Sequence, residues 1–126
     1  MNNNSYQNYL KDNSSVGYLK IRAYAANEAI PIMGLKVIVS KEIDNQDIIF
    51  FEGTTDESGM IEKIALPAPK LNSNNLIAPD KATYKVTATY DQDNFKEIFN
   101  INIYEEIWVM QNIVLVPKMT NNVGGF

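Results

Sequence analysis

Thr54 to Pro69 reads TTDESGMIEKIALPAP, a polar turn set between two hydrophobic segments, and the reading of that turn decides the rest of the chain. Asp56 to Gly59 carry what a tight reversal needs: a side-chain oxygen early, to accept from nearby backbone N–H groups, and a glycine late, where φ becomes positive. DIIFFEGTT stands before the turn and MIEKIAL after it, both rich in β-branched or aromatic residues. The pattern predicts a β-hairpin. Pro67 and Pro69 end the outgoing strand, since proline donates nothing to a ladder and holds its predecessor extended.

Working outward, the same period of two recurs. In GYLKIRAYAA, Leu19, Ile21 and Ala23 alternate with Tyr18, Lys20 and Arg22, as a half-buried strand requires. LKVIVSKEI puts Leu35, Val37 and Val39 on one face, and TYKVTATY puts Tyr84, Val86, Ala88 and Tyr90 on one face. FKEIFNINIY sets Phe95, Phe99, Ile101 and Ile103 inward. Two segments, IIFFEGTT and IWVMQNIVLVP, are apolar on both faces, which fits strands covered on two sides or lying at an interface. No segment carries a helical period that decides it. Seven short strands at regular spacing predict one all-β domain over residues 16–117, a Greek-key β-sandwich. Residues 1–15 read as a polar mobile arm, or one whose Tyr6, Tyr9 and Leu10 pack back on the domain, and 118–126 as a frayed tail. The stretch 67–81 is long enough to rank with functional or mobile loops.

The 126 residues are enough to bury a core without staples, and 45% are aliphatic or aromatic. Net charge is −4 with a pI near 4.7, and the 11 basic residues are scattered, which argues against nucleic acid as a partner. There is no cysteine and no histidine, so thiolate chemistry, disulfides and the commonest general base are absent. The opening MNNNSYQNYLKDNSS lacks the basic start and apolar run of a signal peptide, and no stretch approaches membrane-spanning length. The default expectation is a cytoplasmic protein without a membrane span.

In the order AIPIMGLKVIV, FFEGTTDESGMIEKIALPAP, ATYKVTATYDQDNF and NIVLVP, the chain resembles the carboxypeptidase regulatory-like domain, a transthyretin-like (prealbumin-like) β-sandwich, over Gly17 to Pro117. It resembles in particular the version found beside peptidoglycan-binding and spore-cortex-lytic modules of spore-forming bacteria, through Thr55, Asp56, Gly59, Leu66, Pro67 and Pro69. These are turn and strand residues, so the resemblance implies a fold and not an activity. Transthyretin-like hydroxyisourate hydrolases are similar in fold but depend on histidines and a tyrosine-led C-terminal signature. This chain has neither, which speaks against that activity. Pilin-type domains of related shape carry a Lys–Asn or Lys–Asp isopeptide bond. The matching pair would be Lys20 and Asn112, yet Lys20 falls on the solvent side of its strand and Ala88 stands where the promoting acid is expected.

If successive strands run antiparallel, one end of the sandwich gathers Glu28, Asp56, Glu57, Asp91 and Asp93. Such oxygens could hold Ca²⁺, but DQDN at Asp91 to Asn94 lacks the glycine and distant glutamate of a calcium loop, so solvated turn acids are the better reading and no cofactor is expected. Glu105 and Glu106 are adjacent on a strand and cannot flank one bond. Trp108 reads as a core anchor, or else as part of an exposed interface with Ile48, Phe50 and Met110. The resemblance and the scarce catalytic residue types imply a non-catalytic structural or binding module of a bacterial envelope or spore, docking on a protein or a cell-wall glycan. The alternative is a carrier or regulatory subunit that binds a small molecule or Ca²⁺ as a homo-oligomer. A hydrolase built on carboxylates alone is disfavoured.

Overall fold

Asp56 does make the turn that the sequence singles out. Its carboxylate accepts from the backbone N–H of Ser58 (2.8 Å) and of Met60 (2.9 Å), and Gly59 follows at φ +75°. A side chain at Gly59 would collide with the carbonyl of Ala23, so the site needs glycine for space as well as for φ. What the turn joins differs from the hairpin expected. The computed structural model describes residues 3–27, 29–71 and 80–116. In it the strand before the turn, β3 (Gln46–Thr54), and the strand after it, β4 (Met60–Ala68), lie in different sheets.

The remaining elements are a helix α1 (Asn3–Asp12) and strands β1 (Ser15–Ala25), β2 (Lys36–Ile43), β5 (Ala82–Tyr90), β6 (Phe95–Ile103) and β7 (Trp108–Leu115), with a short 3₁₀ turn at Asp91–Asp93. One sheet has the order β4-β1-β7 and the other β3-β2-β5-β6. β4 leaves β3 because it pairs antiparallel with β1 from Ser15↔Ala68 to Arg22↔Met60. Thr55 fixes the crossing from one sheet to the other. Its hydroxyl is buried, donating to the carbonyl of Ile32 (2.6 Å) and accepting from the N–H of Leu35 (3.0 Å), so the connection after β1 and the turn after β3 are tied together. Replacing a hairpin with an inter-sheet arch lets the apolar face of each strand meet the other sheet instead of its own neighbour.

The seven-stranded sandwich expected from the alternation is what forms. Leu19, Ile21 and Ala23 of β1, Val37 and Val39 of β2, Tyr84, Val86 and Ala88 of β5, and Ile103 and Ile113 are all fully buried. Gly17 is where β1 passes closest to the end of β6: a Cβ there would meet the carbonyl of Tyr104 and the side chain of Ile103.

The N-terminal segment departs from the sequence reading, which found no helical period in it. α1 is a helix because Tyr6 and Tyr9, three apart, reach one aromatic cluster, with ring centroids 6.2 and 5.8 Å from Phe50. Ten residues rich in asparagine are too short and too weak to be helical alone, so this packing supplies the stability. Asn13 closes the helix, its backbone N–H and side-chain amide both donating to the carbonyl of Tyr9 (2.9 Å each).

Candidate functional site

Among the described residues the large hydrophobic side chains left exposed are not spread evenly. Five of the eleven, Ile107, Trp108, Met110, Val114 and Val116, fall in and beside β7. The parallel register of β7 with β1 places Tyr18 beside Trp108, Lys20 beside Met110, Arg22 beside Asn112 and Tyr24 beside Val114. All point away from the core, since the residues between them, Leu19, Ile21, Ala23 and Ile113, are buried.

The outer face of this sheet is therefore an aromatic strip interleaved with cations. Tyr18 and Trp108 stack with centroids 4.8 Å apart and planes 21° from parallel. Lys63 lies over the Tyr18 ring at 5.2 Å, Arg22 over Tyr24 at 4.5 Å and Lys20 near Trp108 at 6.0 Å. Lys20 also pairs with Glu62 at 3.3 Å. Trp108 is 53% exposed and Met110 52%. The reading of Trp108 as a core anchor is thus corrected. Its strand is apolar on both faces, and only the position of the sheet decides which face turns inward.

The interface set expected with Trp108 is divided. β3 belongs to the other sheet, and Phe50 turns toward Tyr9, Tyr6 and Tyr84, so Trp108 and Met110 form a surface without Ile48 and Phe50. On β3 it is Ile49 that is exposed. Sequence alternation held the signal for the strip, because Tyr18, Lys20, Arg22 and Tyr24 all fall on the solvent side of β1, but parallel pairing with β7 was not legible.

A second aromatic group sits where α1 meets the sandwich. The Tyr9 hydroxyl donates to that of Tyr84 (2.8 Å), which in turn donates to the carbonyl of Pro67 (2.5 Å). Lys41 donates to the carbonyl of Thr83 (2.8 Å) with its ammonium near both phenol rings. Burial pushes the Tyr84 phenol far above the ordinary phenol range, with the Tyr9 hydrogen bond adding to it, and burial raises Tyr9 as well. Both are neutral hydrogen-bonding groups at physiological pH, unfit as general bases.

The acids behave as turn residues. Asp56 is occupied by its own turn; Glu57, Asp91 and Asp93 are exposed; Glu28 lies outside the described residues. Among the described residues no three His, Cys, Asp or Glu come together in a way that could hold a metal ion. Glu105 is held below the usual carboxylate range by the N–H of Leu71 (2.8 Å) and then by the Ser15 hydroxyl (2.7 Å), so it ties the loop after β4 and the start of β1 to the β6–β7 turn. Lys20 and Asn112 do not face each other across β1 and β7, since Asn112 pairs with Arg22. Most of the 67–81 loop lies outside the described residues. An open cleft of about 630 Å³ beside the 3₁₀ turn has Asp93 as its one carboxylate among Ala25, Ile32, Phe95 and Leu115.

No protein-family model matches the chain, and no curated protein matches it in sequence. Solved structures do match in shape. The 5-hydroxyisourate hydrolase of Klebsiella pneumoniae superposes with a TM-score of 0.58 at 15% identity, over 82% of this chain and 92% of that one. The fold is transthyretin-like. A shaft pilin of Lactobacillus rhamnosus GG gives 0.61 at 16% identity over 84% of this chain and 52% of the pilin. An (S)-allantoin synthase gives 0.56 at 11% identity over 86% of this chain and 43% of the synthase. The chain thus spans about half of the pilin and less than half of the synthase.

These neighbours overturn the expectation of a non-catalytic envelope module, and with it the carrier alternative. Two of the three are enzymes, so the transthyretin-like fold on which that reading leaned does not separate a docking module from a catalyst. Among the described residues, no helix is long and apolar enough to cross a membrane.

Proposed function

We propose that the chain is a self-assembling subunit, and that its contact surface is the outer side of the β4-β1-β7 sheet. The observation that carries this is the strip of Tyr18, Trp108, Met110 and Val114, which puts a stacked aromatic pair and a thioether in water on one face. A contiguous apolar patch rimmed by polar groups is what a protein contact uses, and tryptophan, tyrosine, methionine and arginine are the side chains enriched in such contacts. Lys20 and Arg22 stand within the strip on β1, the middle strand, and Lys63 flanks it on β4. The likeness to a shaft pilin supports assembly between protein chains as a use of this fold. The finer resemblance to carboxypeptidase regulatory-like domains, through Thr55, Asp56 and Gly59, concerns the turn between the sheets and not this surface.

Light scattering over a concentration series tests the reading. Self-assembly gives a molar mass that rises above the 14.2 kDa of one chain. A mass that stays at one chain up to about 1 mM, where an association of only about 4 kcal/mol would show, removes it.

A further inference from the structure

Among the described residues β7 ends its sheet, and its own sequence carries no guard. The order β4-β1-β7 leaves no described strand beyond it. Its eight residues, WVMQNIVL, hold no charge, proline or glycine, and its register with β1 runs unbroken from Tyr18↔Trp108 to Ala25↔Leu115. The other three edges are protected in the usual ways. β4 carries Glu62, Lys63 and Pro67, and its pairing with β1 contains a bulge. β3 carries Asp47 and Glu52, and its pairing with β2 also contains a bulge. β6 carries Lys96 and Glu97.

The backbone at this edge can be assigned. The carbonyl of Ile107 accepts from the N–H of Tyr18 and that of Leu115 from the N–H of Ala26 (3.0 Å each), so odd-numbered residues of this strand address β1. A strand residue turns its N–H and C=O to the same side, so those of Trp108, Met110, Asn112 and Val114 face away from β1. These are also the residues whose side chains form the exposed strip. One of the carbonyls, that of Asn112, accepts from the Gln111 side-chain amide (3.0 Å). An arriving strand displaces that contact.

We infer that β7 pairs antiparallel with β7 of a second copy about a twofold axis at Gln111, making one continuous six-stranded sheet across the dimer. The inference rests on the self-assembly reading and moves the contact from the outer face of that sheet to its β7 edge. The occupant follows from charge: β4, β3 or β6 of a second copy would each bring charged side chains onto an uncharged strand, whereas β7 against β7 brings none. The register follows from length. With Gln111 opposite Gln111 of the second copy, Trp108 stands opposite Val114 and Met110 opposite Asn112, so every residue that faces the edge exchanges main-chain hydrogen bonds. A shift by one residue along the strand would put apolar side chains on the wrong face. The two Gln111 side chains form a close non-hydrogen-bonded pair, able to bond to each other in place of the contact each loses.

The absence of native cysteine makes the test clean. In the full chain, Gln111→Cys should cross-link to its own copy under mild oxidation, because directly opposed non-hydrogen-bonded Cα atoms lie about 4.5 Å apart. Met110→Cys should not, since the two copies of residue 110 are offset beyond disulfide reach in this register. Asn112→Pro removes a donor that points away from β1, so the monomer should keep its β-sheet circular dichroism while light scattering shows loss of the dimer. Hydrogen exchange of wild type should protect the amides of Trp108, Met110, Asn112 and Val114 only as concentration rises. Should Met110→Cys cross-link in place of Gln111→Cys, the Gln111 axis is overturned; should a larger mass survive Asn112→Pro, the chain assembles face to face, and the edge pairing is overturned while the self-assembly reading stands. A wild type that remains one chain at all concentrations overturns both, and edge protection independent of concentration assigns the edge to the same chain and overturns the second copy.

Discussion

Two aromatic groups of this protein, both rich in tyrosine, have opposite fates. Tyr6, Tyr9, Phe50 and Tyr84 close one region of the sandwich under α1, with both inner phenols hydrogen-bonded in series to the carbonyl of Pro67. Tyr18, Tyr24 and Trp108 lie open on the other sheet, stacked and flanked by cations. The first group is complete within one chain: no buried polar side-chain atom among the described residues lacks a partner. The second has apolar area that no described residue covers. An aromatic cluster therefore announces a core or a contact surface only through what is packed against it, which composition does not contain.

The largest effect that should separate the two is truncation. Tyr84→Ala should lose about 3–5 kcal/mol in urea unfolding, the usual loss for a large aromatic side chain removed from a core. A loss below about 1 kcal/mol would mean that the α1 region is a surface appendage, and the contrast would collapse. Tyr84→Phe is milder and sharper. It keeps the ring but leaves the Pro67 carbonyl and the Tyr9 hydroxyl without their partner, for an expected loss of about 1–3 kcal/mol.

Alkaline pH probes the same contrast without mutation. Tyr9 and Tyr84 have folded-state values above the unfolded value of 10.0, chiefly through burial. A raised value in the folded state means that the unfolded chain loses these protons first. Their contribution is therefore complete below pH 10 and is lost as pH rises above it. Urea melts from neutral pH to pH 11 should show stability falling above pH 10, and Tyr84→Phe should flatten that fall. An unchanged slope in the variant would place the alkaline loss elsewhere. The smallest effect on folding belongs to the open group: Trp108→Ala should change monomer stability by no more than about 0.5 kcal/mol, while weakening self-association. A folding loss comparable to that of Tyr84→Ala would make Trp108 part of the core after all.

The boundaries of the strands and their buried faces were readable because both are local. Leu19, Ile21 and Ala23, or Tyr84, Val86 and Ala88, alternate with polar neighbours, and a period of two has one solution when one face is wet. The chemistry of the Asp56–Gly59 turn was readable for the same reason. Reading failed where that contrast is missing. α1 has its signal in the three-residue spacing of Tyr6 and Tyr9, but among asparagines the spacing is too short to stand out until Phe50 and Tyr84 are seen beneath it. In the candidate site, Trp108 and Met110 were recognised together, while Phe50 was grouped with them because proximity in pattern says nothing of which sheet a strand joins.

The chain by itself thus determines seven extended segments, a reversal at Asp56–Gly59 and a core of alternating aliphatic residues, since these depend on the preferences of residues close in sequence. Tertiary structure decides that β4 pairs with β1 and not with β3, that β7 runs parallel to β1, and that Trp108 faces water. The physical reason is that a strand apolar on both faces satisfies its own backbone and periodicity equally well either way round. Only the area that each arrangement buries against distant strands separates the two.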